Sequence, residues 1–452
     1  MYQKQEIPAA YQAKLKSATE AASLVKSGDR VHFGMGIGSS YDFDEALAKR
    51  ADELEDVKII TTIALRKAPL ATYLAGREKG SFKFHSSHFS GLDRKMSKDG
   101  HCWYIPINFD EMPRYWAEDG NGFDVAVLQV CPMDANGYFN MGPQCADNWA
   151  VLAHAKKIVV EVNENMPFAH GFDNFIPLDQ VDCIIEGSNP ALTELPSGEV
   201  TDIDRKIASY VVDKVVSGSV LQLGIGALPA AIGTLLADSD VKDLSCHTEM
   251  FVDSYLHLFN AGKLTNKKPI YNGKMVYTFA GGSKELYDFV DNNPLCLAAP
   301  VDYVNDPAVI AQLDNFVSVN GCINLDLYGQ VCSEMADFQH ISGTGGQLNF
   351  VLGAYHAKGG QSFICTKSTR KGADGQLESL IIPAMPAGSI VTTPRHCTHY
   401  IVTEYGAANL KGKSTWERAE LLIGIAHPDF REQLIADAEK QGIWTKTSKL
   451  GF

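Results

Sequence analysis

The sequence predicts an α/β protein made of two similar open α/β domains, each built around a largely parallel sheet. Helical and strand patterns alternate along both halves of the chain, as they do in βαβ units. The second half also repeats the first, which indicates an internal duplication. Three glycines of the first half recur 190 positions later in the second: Gly28, Gly34 and Gly36 as Gly218, Gly224 and Gly226.

The elements follow the same order in both copies. Residues 18–27 have the pattern of an amphipathic helix ended by Gly28, and a strand is predicted at 30–33, before a glycine-rich turn. In the second copy the strand falls at 220–223. Later strands are predicted in pairs, at 55–60 with 241–246 and at 124–128 with 314–318. The turn-rich stretch 187–199 predicts the linker, and therefore two domains, 1–195 and 196–452.

The composition restricts the function. The 452 residues carry a formal net charge of −14, which argues against a general affinity for nucleic acid or anionic membranes. The 10 cysteines include no Cys-x-x-Cys pair, so they are predicted to be buried thiols in a reducing compartment. Residues 1–8 lack the apolar core of a signal peptide, and no apolar run is long enough to cross a bilayer. A cytoplasmic protein is the prediction.

Glu249 is the candidate for chemistry. It lies in the stretch 244–253, which begins as an apolar run and ends in polar residues, so its carboxylate is expected where a buried strand ends. The alternative is a helix N-cap region in which Glu249 only favours the helix dipole. The first half has Thr61, Thr62 and Ile63 at this place, without a carboxylate. A residue needed only for folding would be expected in both copies, and this difference favours the chemical role.

Two glycine-rich segments are candidates for ligand contact. The turn Gly224, Ile225, Gly226, Ala227 and Leu228 joins a strand to a helix, but Pro229 stands where a dinucleotide fingerprint has its third glycine. Its backbone N–H groups are suited to an oxyanion, and a tight turn with no other role is the alternative. The second segment has three glycines in four residues, Gly343, Gly345 and Gly346, which allows close approach by a ligand or another backbone.

Three further groups of polar residues have the composition of ligand-binding sites. Residues 366–371 carry three positive charges and end at Lys371, which suits a phosphate, although such runs are often solvated loops. Asn320 ends an apolar run as Glu249 does, or is simply a turn residue before Gly321. The histidine pairs at 85 and 88 and at 396 and 399 lack a third ligand in sequence, so no metal site is predicted.

Several motifs together resemble the family I CoA-transferases of the acetyl-CoA hydrolase/transferase type. The resemblance covers nearly the whole chain and rests on residues 224–229, 247–250, 326–330, 343–347, 402–406 and 425–431. It implies two open α/β domains with the active site between them. Residues 251–253, Phe-Val-Asp, are similar to the branch of the family that acts on butyryl-CoA and acetate rather than to the 4-hydroxybutyrate branch.

The resemblance also implies roles for individual residues. Glu249 would be the nucleophile that forms a glutamyl-CoA thioester, and Asn320 would orient or polarise the acyl carbonyl. Gly224, Ile225, Gly226, Ala227 and Leu228 would contact the thioester and the oxyanion. Gly345 and Gly346 would admit the pantetheine arm, and Lys371 would meet a CoA phosphate. CoA is then a substrate, no metal or redox cofactor is expected, and a homodimer is predicted.

Two departures from the family pattern bear on specificity. Asn349 replaces the usual Asp after Gly-Gly-Gln, and His356 stands where a Ser is frequent. These put the acyl or acceptor preference in doubt, so another short acid, such as 4-hydroxybutyrate or propionate, is the first alternative. An acyl-CoA hydrolase on the same scaffold is the second. A CoA- or nucleotide-binding module without catalysis is the third.

Overall fold

The computed structural model describes residues 8–66 and 68–445, so most of the N-terminal segment used to argue against a signal peptide lies outside the described residues. The helices are α1 Ala9–Lys14, α2 Ala18–Ala22, α3 Asp42–Ala48, α4 Ala71–Gly76, α5 Gly91–Lys98, α6 Met112–Glu118, α7 Asn148–Ala153, α8 Asp202–Val212, α9 Ala227–Asp238, α10 Asp253–Asn260, α11 Lys284–Val290, α12 Val301–Val304, α13 Pro307–Ile310, α14 Gln347–His356, α15 Thr415–Gly424 and α16 Pro428–Lys440.

The strands are β1 Arg30–Met35, β2 Val57–Thr62, β3 Phe82–Ser86, β4 Cys102–Tyr104, β5 Val125–Val130, β6 Tyr138–Asn140, β7 Ile158–Val162, β8 Phe175–Pro177, β9 Cys183–Glu186, β10 Val220–Leu223, β11 Ser245–Phe251, β12 Met275–Ala280, β13 Cys296–Ala298, β14 Phe316–Gly321, β15 Asn324–Asp326, β16 Val331–Cys332, β17 Met335–Ala336, β18 Gln339–His340, β19 Gln361–Cys365, β20 Thr369–Lys371, β21 Leu377–Ser379, β22 Ile381–Ile382, β23 Tyr400–Thr403 and β24 Gly406–Asn409.

The chain forms two compact units. The first unit comprises Met1–Leu195 with Val276–Tyr303, and the second comprises Pro196–Met275 with Val304–Phe452. Within the first unit, the segment 276–303 is joined to the rest by bridges between Phe279 and Gln144 and between Ala298 and Gly171. The division of the sequence into domains 1–195 and 196–452 stays a prediction.

The first unit is organised by a parallel sheet with strand order β4-β3-β2-β1-β5-β7-β9. Its central strands β5 and β7 are buried along their whole length, as strands covered on both faces must be. Helices α2 to α5 cover one face and close a core that includes Val31, Phe43 and Phe84. The apolar strand patterns therefore give the buried sheet that the sequence predicts.

The second unit repeats this arrangement. Its own strands run in the order β11-β10-β14-β19-β23-β24, parallel up to β23, with β24 antiparallel at the edge. The series β11-β10-β14-β19-β23 matches β2-β1-β5-β7-β9 of the first unit strand for strand. The prediction of an α/β fold with two similar parallel sheets is confirmed.

The strand registers correct one detail of the predicted repeat. Arg30 pairs with Lys58 in the first unit, and Val220 pairs with Ser245 in the second. The sequence comparison had instead placed Lys58 opposite Leu244, one position earlier. With the corrected register, the first-unit counterpart of Glu249 is Thr62, so the first copy has no carboxylate there.

The helix predicted over 18–27 is also wrong in length, since α2 ends at Ala22. Its start is well specified, because Ser17 and Glu20 form a reciprocal capping box. Leu24 N–H and Val25 N–H then donate to Ala21 and Ala22 carbonyls, three residues back, which tightens the chain out of the α-helix. The amphipathic pattern continues through this tight turn, so it did not reveal the end.

The cysteines and the helices bear on two predictions made from the composition. All ten cysteines are free thiols, and nine of them are buried. Across residues 8–66 and 68–445, none of the helices is both long enough and apolar enough to span a bilayer.

Candidate active site

Glu249 lies on strand β11, two residues before that strand ends at Phe251. Helix α10 begins at Asp253 with Val252 as its N-cap, so Glu249 is not part of a helix N-terminus and the N-cap alternative is excluded. The neighbouring strand β10 ends at Leu223, and its register sets Gly224 opposite Glu249. The half-buried carboxylate therefore lies at the carboxyl edge of the sheet, where α/β folds bind ligands.

Asn305 holds the Glu249 carboxylate. Its Nδ2 donates a hydrogen bond to Oε2 of Glu249 over 2.7 Å, and the Asn305 side chain is fully buried in the bend between α12 and α13. Its Oδ1 is also buried and has no hydrogen-bond partner among the described residues. The sequence analysis missed Asn305, because it belongs to no motif and meets Glu249 from 56 positions away.

His247 fixes the same bend from the same strand. Residues 247 and 249 are two apart on β11, so their side chains point to one face of the sheet. His247 Nε2 lies 2.7 Å from the carbonyl oxygen of Val304, which can only accept, so Nε2 carries the proton. Burial lowers the pKa of His247 to about 4. A neutral imidazole thus anchors Val304, and its neighbour Asn305 meets Glu249.

Gly346 is in direct contact with this pair. A Cβ atom built on Gly346 would lie 2.1 Å from Oε2 of Glu249 and 2.3 Å from Nδ2 of Asn305. Both distances are far below van der Waals contact, so only glycine fits while the carboxylate keeps its place. Contact with Glu249 and Asn305 therefore requires glycine at position 346, in addition to the role beside the pantetheine arm that the family resemblance implies.

Hydrogen bonds from residues on both sides of Gly346 hold its loop in place. Gly345 has a φ of +52°, a left-handed conformation that glycine adopts easily, and Gly346 is the N-cap of α14. Thr344 Oγ1 donates to the buried carboxylate of Glu334 over 3.3 Å. Gln347 Nε2 donates to Thr393 Oγ1 over 3.0 Å. These contacts hold the glycines against Glu249.

The first glycine turn follows β10 directly. Gly226 is the N-cap of α9 with a φ of +121°, and no side chain caps this helix. The N–H groups of its first turn, including those of Ala227 and Leu228, have no partner within an α-helix. Gly224 has open space where a Cβ would stand, and Ile225 is 40% exposed. Backbone donors beside Glu249 suit a negative oxygen.

Asn320 lies in the same row of the sheet as Glu249. The pairing of β10 with β14 sets Leu223 beside Val319, so Gly224 lies between Glu249 and Asn320 in the row. Asn320 is half-buried, and its Nδ2 donates to Ser318 Oγ over 2.9 Å and to Gln222 Oε1 over 3.3 Å. The turn-residue alternative is therefore incomplete, because the side chain belongs to a polar cluster.

Two of the three positive charges in residues 366–371 are neutralised by ion pairs. Lys367 pairs with the buried carboxylate of Asp204, and Arg370 pairs with Glu378 across the β20–β21 hairpin. Lys371, at the end of β20, is exposed and forms no ion pair with any described residue. Of the three cations, Lys371 is the one left for an anionic ligand.

The two departures from the family pattern lie at different depths. Asn349 is buried in the first turn of α14, one turn from Gly346, and its Oδ1 has no hydrogen-bond partner among the described residues. His356 is exposed at the last residue of the same helix. The length of α14 puts His356 about 15 Å from Gly346 along the helix axis.

The described part of the chain has no cluster of three or more His, Cys, Asp or Glu side chains arranged to hold a metal ion. The predicted absence of a metal or redox cofactor stays a prediction.

All the predicted site residues belong to the second unit, and the structure brings Gly346 into contact with Glu249. Gly224 and Asn320 share its row, whereas Lys371 lies on a separate hairpin.

The fold and this site define an α/β enzyme with a carboxylate held beside two glycine turns. Residues 1–193 match the N-terminal domain of the acetyl-CoA hydrolase/transferase family, and residues 282–438 match its C-terminal domain. The chain belongs to this family, and the resemblance seen in its motifs is confirmed.

Individual relatives match over nearly their full length. The butyryl-CoA:acetate CoA-transferase of Anaerostipes caccae is 47% identical, over 97% of this chain and 99% of the relative. The 4-hydroxybutyrate coenzyme A transferase of Clostridium kluyveri is 39% identical, over 95% and 98%. The crystal structure of RipA from Yersinia pestis is similar with a TM-score of 0.86 at 36% identity, over 97% of this chain and 100% of RipA.

Proposed function

We propose that the protein transfers CoA from a short-chain acyl-CoA to a carboxylate acceptor, with butyryl-CoA and acetate as the substrates. The observation that carries the proposal is the Glu249 carboxylate, held by Asn305 against Gly346 and beside the open turn at Gly224. The names of relatives such as the transferase of Anaerostipes caccae support the choice of butyryl-CoA and acetate.

The chemistry begins with nucleophilic attack. A Glu249 oxygen attacks the carbonyl carbon of the thioester, the carbon–sulfur bond breaks, and CoA leaves as a thiolate. The product is a mixed anhydride between the acyl group and Glu249. The thiolate then attacks the glutamyl carbonyl carbon, which releases the acyl group as a free carboxylate and leaves a glutamyl-CoA thioester. An incoming acetate reverses these steps and departs as acetyl-CoA.

The residues around Glu249 are suited to each of these reaction steps. The hydrogen bond from Asn305 Nδ2 to Oε2 orients the Glu249 carboxylate for the attack. The N–H groups at the start of α9 stabilise negative charge on the carbonyl oxygen during each attack. Lys371 is proposed to meet a CoA phosphate, and its exposure and freedom from ion pairs among the described residues suit that role.

Initial-rate kinetics with butyryl-CoA and acetate test the proposal. A ping-pong pattern, with parallel double-reciprocal lines, is expected because the first product leaves before acetate binds. Release of free thiol at the same rate with and without acetate would instead identify a hydrolase. A panel of acceptors that includes 4-hydroxybutyrate and propionate measures the preference directly. A homodimer and a cytoplasmic location also remain predictions, and light scattering after size exclusion checks the first.

A further inference from the structure

A row of buried polar side chains crosses the second-unit sheet. It lies two residues before Glu249 and Asn320 along their strands, on the same face of the sheet. The strand registers set His247, Gln222, Ser318 and Ser362 side by side on four neighbouring strands, with His399 next in the row, just before β23 begins. All five are at most 7% exposed. Most polar groups this deeply buried are paired with a donor or an acceptor, because an unpaired one costs free energy. The direction of each hydrogen bond in this row is therefore informative.

One backbone carbonyl fixes that direction. Gln222 Nε2 lies 3.5 Å from the carbonyl oxygen of Val319, which can only accept a hydrogen bond. Gln222 must therefore direct its amide nitrogen to Val319 and its Oε1 to the neighbouring side chains. Ser318 Oγ donates to this Oε1 over 3.0 Å. The contacts with Val319 and Ser318 therefore orient the Gln222 amide.

The network then sets the orientation of Asn320. Gln222 Oε1 can only accept, so the group that Asn320 directs to it is the amide nitrogen, at 3.3 Å. The same nitrogen donates to Ser318 Oγ over 2.9 Å. Both N–H bonds of Asn320 are thus engaged inside the sheet. Its Oδ1 is left as a hydrogen-bond acceptor, because both hydrogen bonds of the Asn320 side chain with described residues are made by Nδ2.

We propose that Oδ1 of Asn320 accepts a hydrogen bond from the amide N–H nearest the sulfur in the pantetheine arm of the acyl-CoA. The inference rests on the proposed function and deepens it. It assigns Asn320 to recognition of the CoA arm, in place of polarisation of the acyl carbonyl, which would require a free N–H donor. Gln222 is the positioning residue that turns the Asn320 acceptor outward.

The spacing fits this assignment. Glu249 and Asn320 lie two strands apart in one row on the same face, about 10 Å between Cα atoms. In a CoA thioester four bonds, spanning about 5 Å, join the carbonyl carbon to that amide nitrogen. A hydrogen bond adds about 3 Å. A thioester under attack by Glu249 therefore places the N–H within reach of Asn320.

The test combines two substrates with two proteins. The substrates are butyryl-CoA and an analogue in which oxygen replaces the N–H of the amide nearest the sulfur. For the wild-type enzyme, kcat/KM is expected to fall roughly tenfold with the analogue, since one substrate hydrogen bond is lost. Asn320→Ala is expected to lose a similar factor with butyryl-CoA and to show equal kcat/KM for both substrates.

Two further variants separate recognition from folding. Gln222→Met removes the acceptor that orients Asn320, so discrimination between the substrates should fall although Asn320 is present. Ser362→Ala changes the next residue of the same row, whose Oγ has no hydrogen-bond partner among the described residues, and should keep the tenfold discrimination. Equal rates of the wild type with both substrates, or full discrimination by Asn320→Ala, overturn the inference. Failure of the wild type to turn over either thioester overturns the proposed function itself.

Discussion

Both units place a glutamate near the carboxyl edge of their sheet, and the two glutamates lie in different environments. In the first unit Glu161, on β7, is fully buried. It accepts hydrogen bonds from Ser40 Oγ over 2.6 Å, the Tyr41 and Phe43 N–H groups over 2.9 and 3.0 Å, and Gln129 Nε2 over 3.0 Å. The chain's own carboxylate thus occupies the donors at the start of α3.

The second unit leaves the corresponding region open. Its strand-to-helix turn at Gly226 has no side-chain cap, and Glu249 is half-buried on the adjacent strand. Asn305 orients this carboxylate through a hydrogen bond to Oε2. The comparison teaches that the first copy of the duplicated scaffold satisfies the donors of this turn with its own carboxylate, whereas no side chain caps the same turn in the second copy. We expect Glu161 to stabilise the first copy, and the proposed function makes Glu249 the reactive group of the second.

The largest expected effect separates these two carboxylates. Glu249→Gln removes the nucleophile and should lower kcat by about four orders of magnitude or more, with little change in thermal stability. Glu161→Gln should leave kcat nearly intact and cost about 2–4 kcal/mol of unfolding free energy, since it disturbs a buried, fully bonded carboxylate. Steady-state rates and urea unfolding of both variants measure the two effects. A stability loss in Glu249→Gln as large as in Glu161→Gln would remove the distinction.

The next effect concerns the space beside the nucleophile. Gly346→Ala puts a methyl group where Oε2 of Glu249 lies, so the carboxylate must move and kcat should fall about a hundredfold. The backbone of Gly346 has a φ of −97°, which alanine tolerates, so the cause is steric. Gly91→Ala, at the first residue of α5 and with ample room, is the matched control and should retain full activity. Equal activity of the two variants would show that Glu249 is not held against Gly346.

A smaller effect is expected from the residues that orient Glu249. Asn305→Ala removes the hydrogen bond to Oε2 and should lower kcat roughly tenfold, with a smaller change in KM. His247→Gln can still donate to the Val304 carbonyl and should retain more activity than His247→Ala. Measurement of kcat and KM for the three variants checks this order. Identical losses in His247→Gln and His247→Ala would argue against the Val304 contact as the cause.

The smallest expected effect is a loss of unfolding free energy at acid pH, and both units contribute to it. Burial lowers the pKa of His32 in the first unit to about 3 and that of His247 to about 4. The unfolded chain therefore takes up protons first as the pH falls below the ordinary histidine value of about 6.5. Stability should decline from there down to the folded-state pKa of each histidine, approaching about 1.4 kcal/mol per pH unit for each. His247→Gln should flatten this decline, which unfolding at pH 7, 6 and 5 measures.

Much of the architecture could be predicted from the sequence, because apolar strand runs and repeated glycines are local signals. The strand at 220–223 is predicted to the residue, and the repeat indicates matching sheets. The end of α2 could not be predicted, since its tight last turn keeps the amphipathic pattern. The register of the repeat was off by one because residue similarity is weak at 55–60, where only strand pairing decides the alignment.

The site was predictable in part for the same reason. Glu249 and the two glycine turns lie in recognisable motifs, and the lack of a carboxylate in the first copy drew attention to Glu249. Asn305 and the Val304 carbonyl act through contacts that join distant parts of the chain, so no local pattern reveals them. The orientation of Asn320 likewise depends on Gln222 and Val319, from two neighbouring strands.

Trapping the covalent intermediate tests most directly whether Glu249 is the nucleophile. The enzyme is incubated with butyryl-CoA and no acceptor, reduced with borohydride, digested and analysed by mass spectrometry. The account predicts that the peptide containing Glu249 carries the reduced side chain, an alcohol in place of the carboxylate, and that the peptide containing Glu161 is unchanged. An unmodified Glu249 peptide from an enzyme that turns over butyryl-CoA and acetate would contradict it.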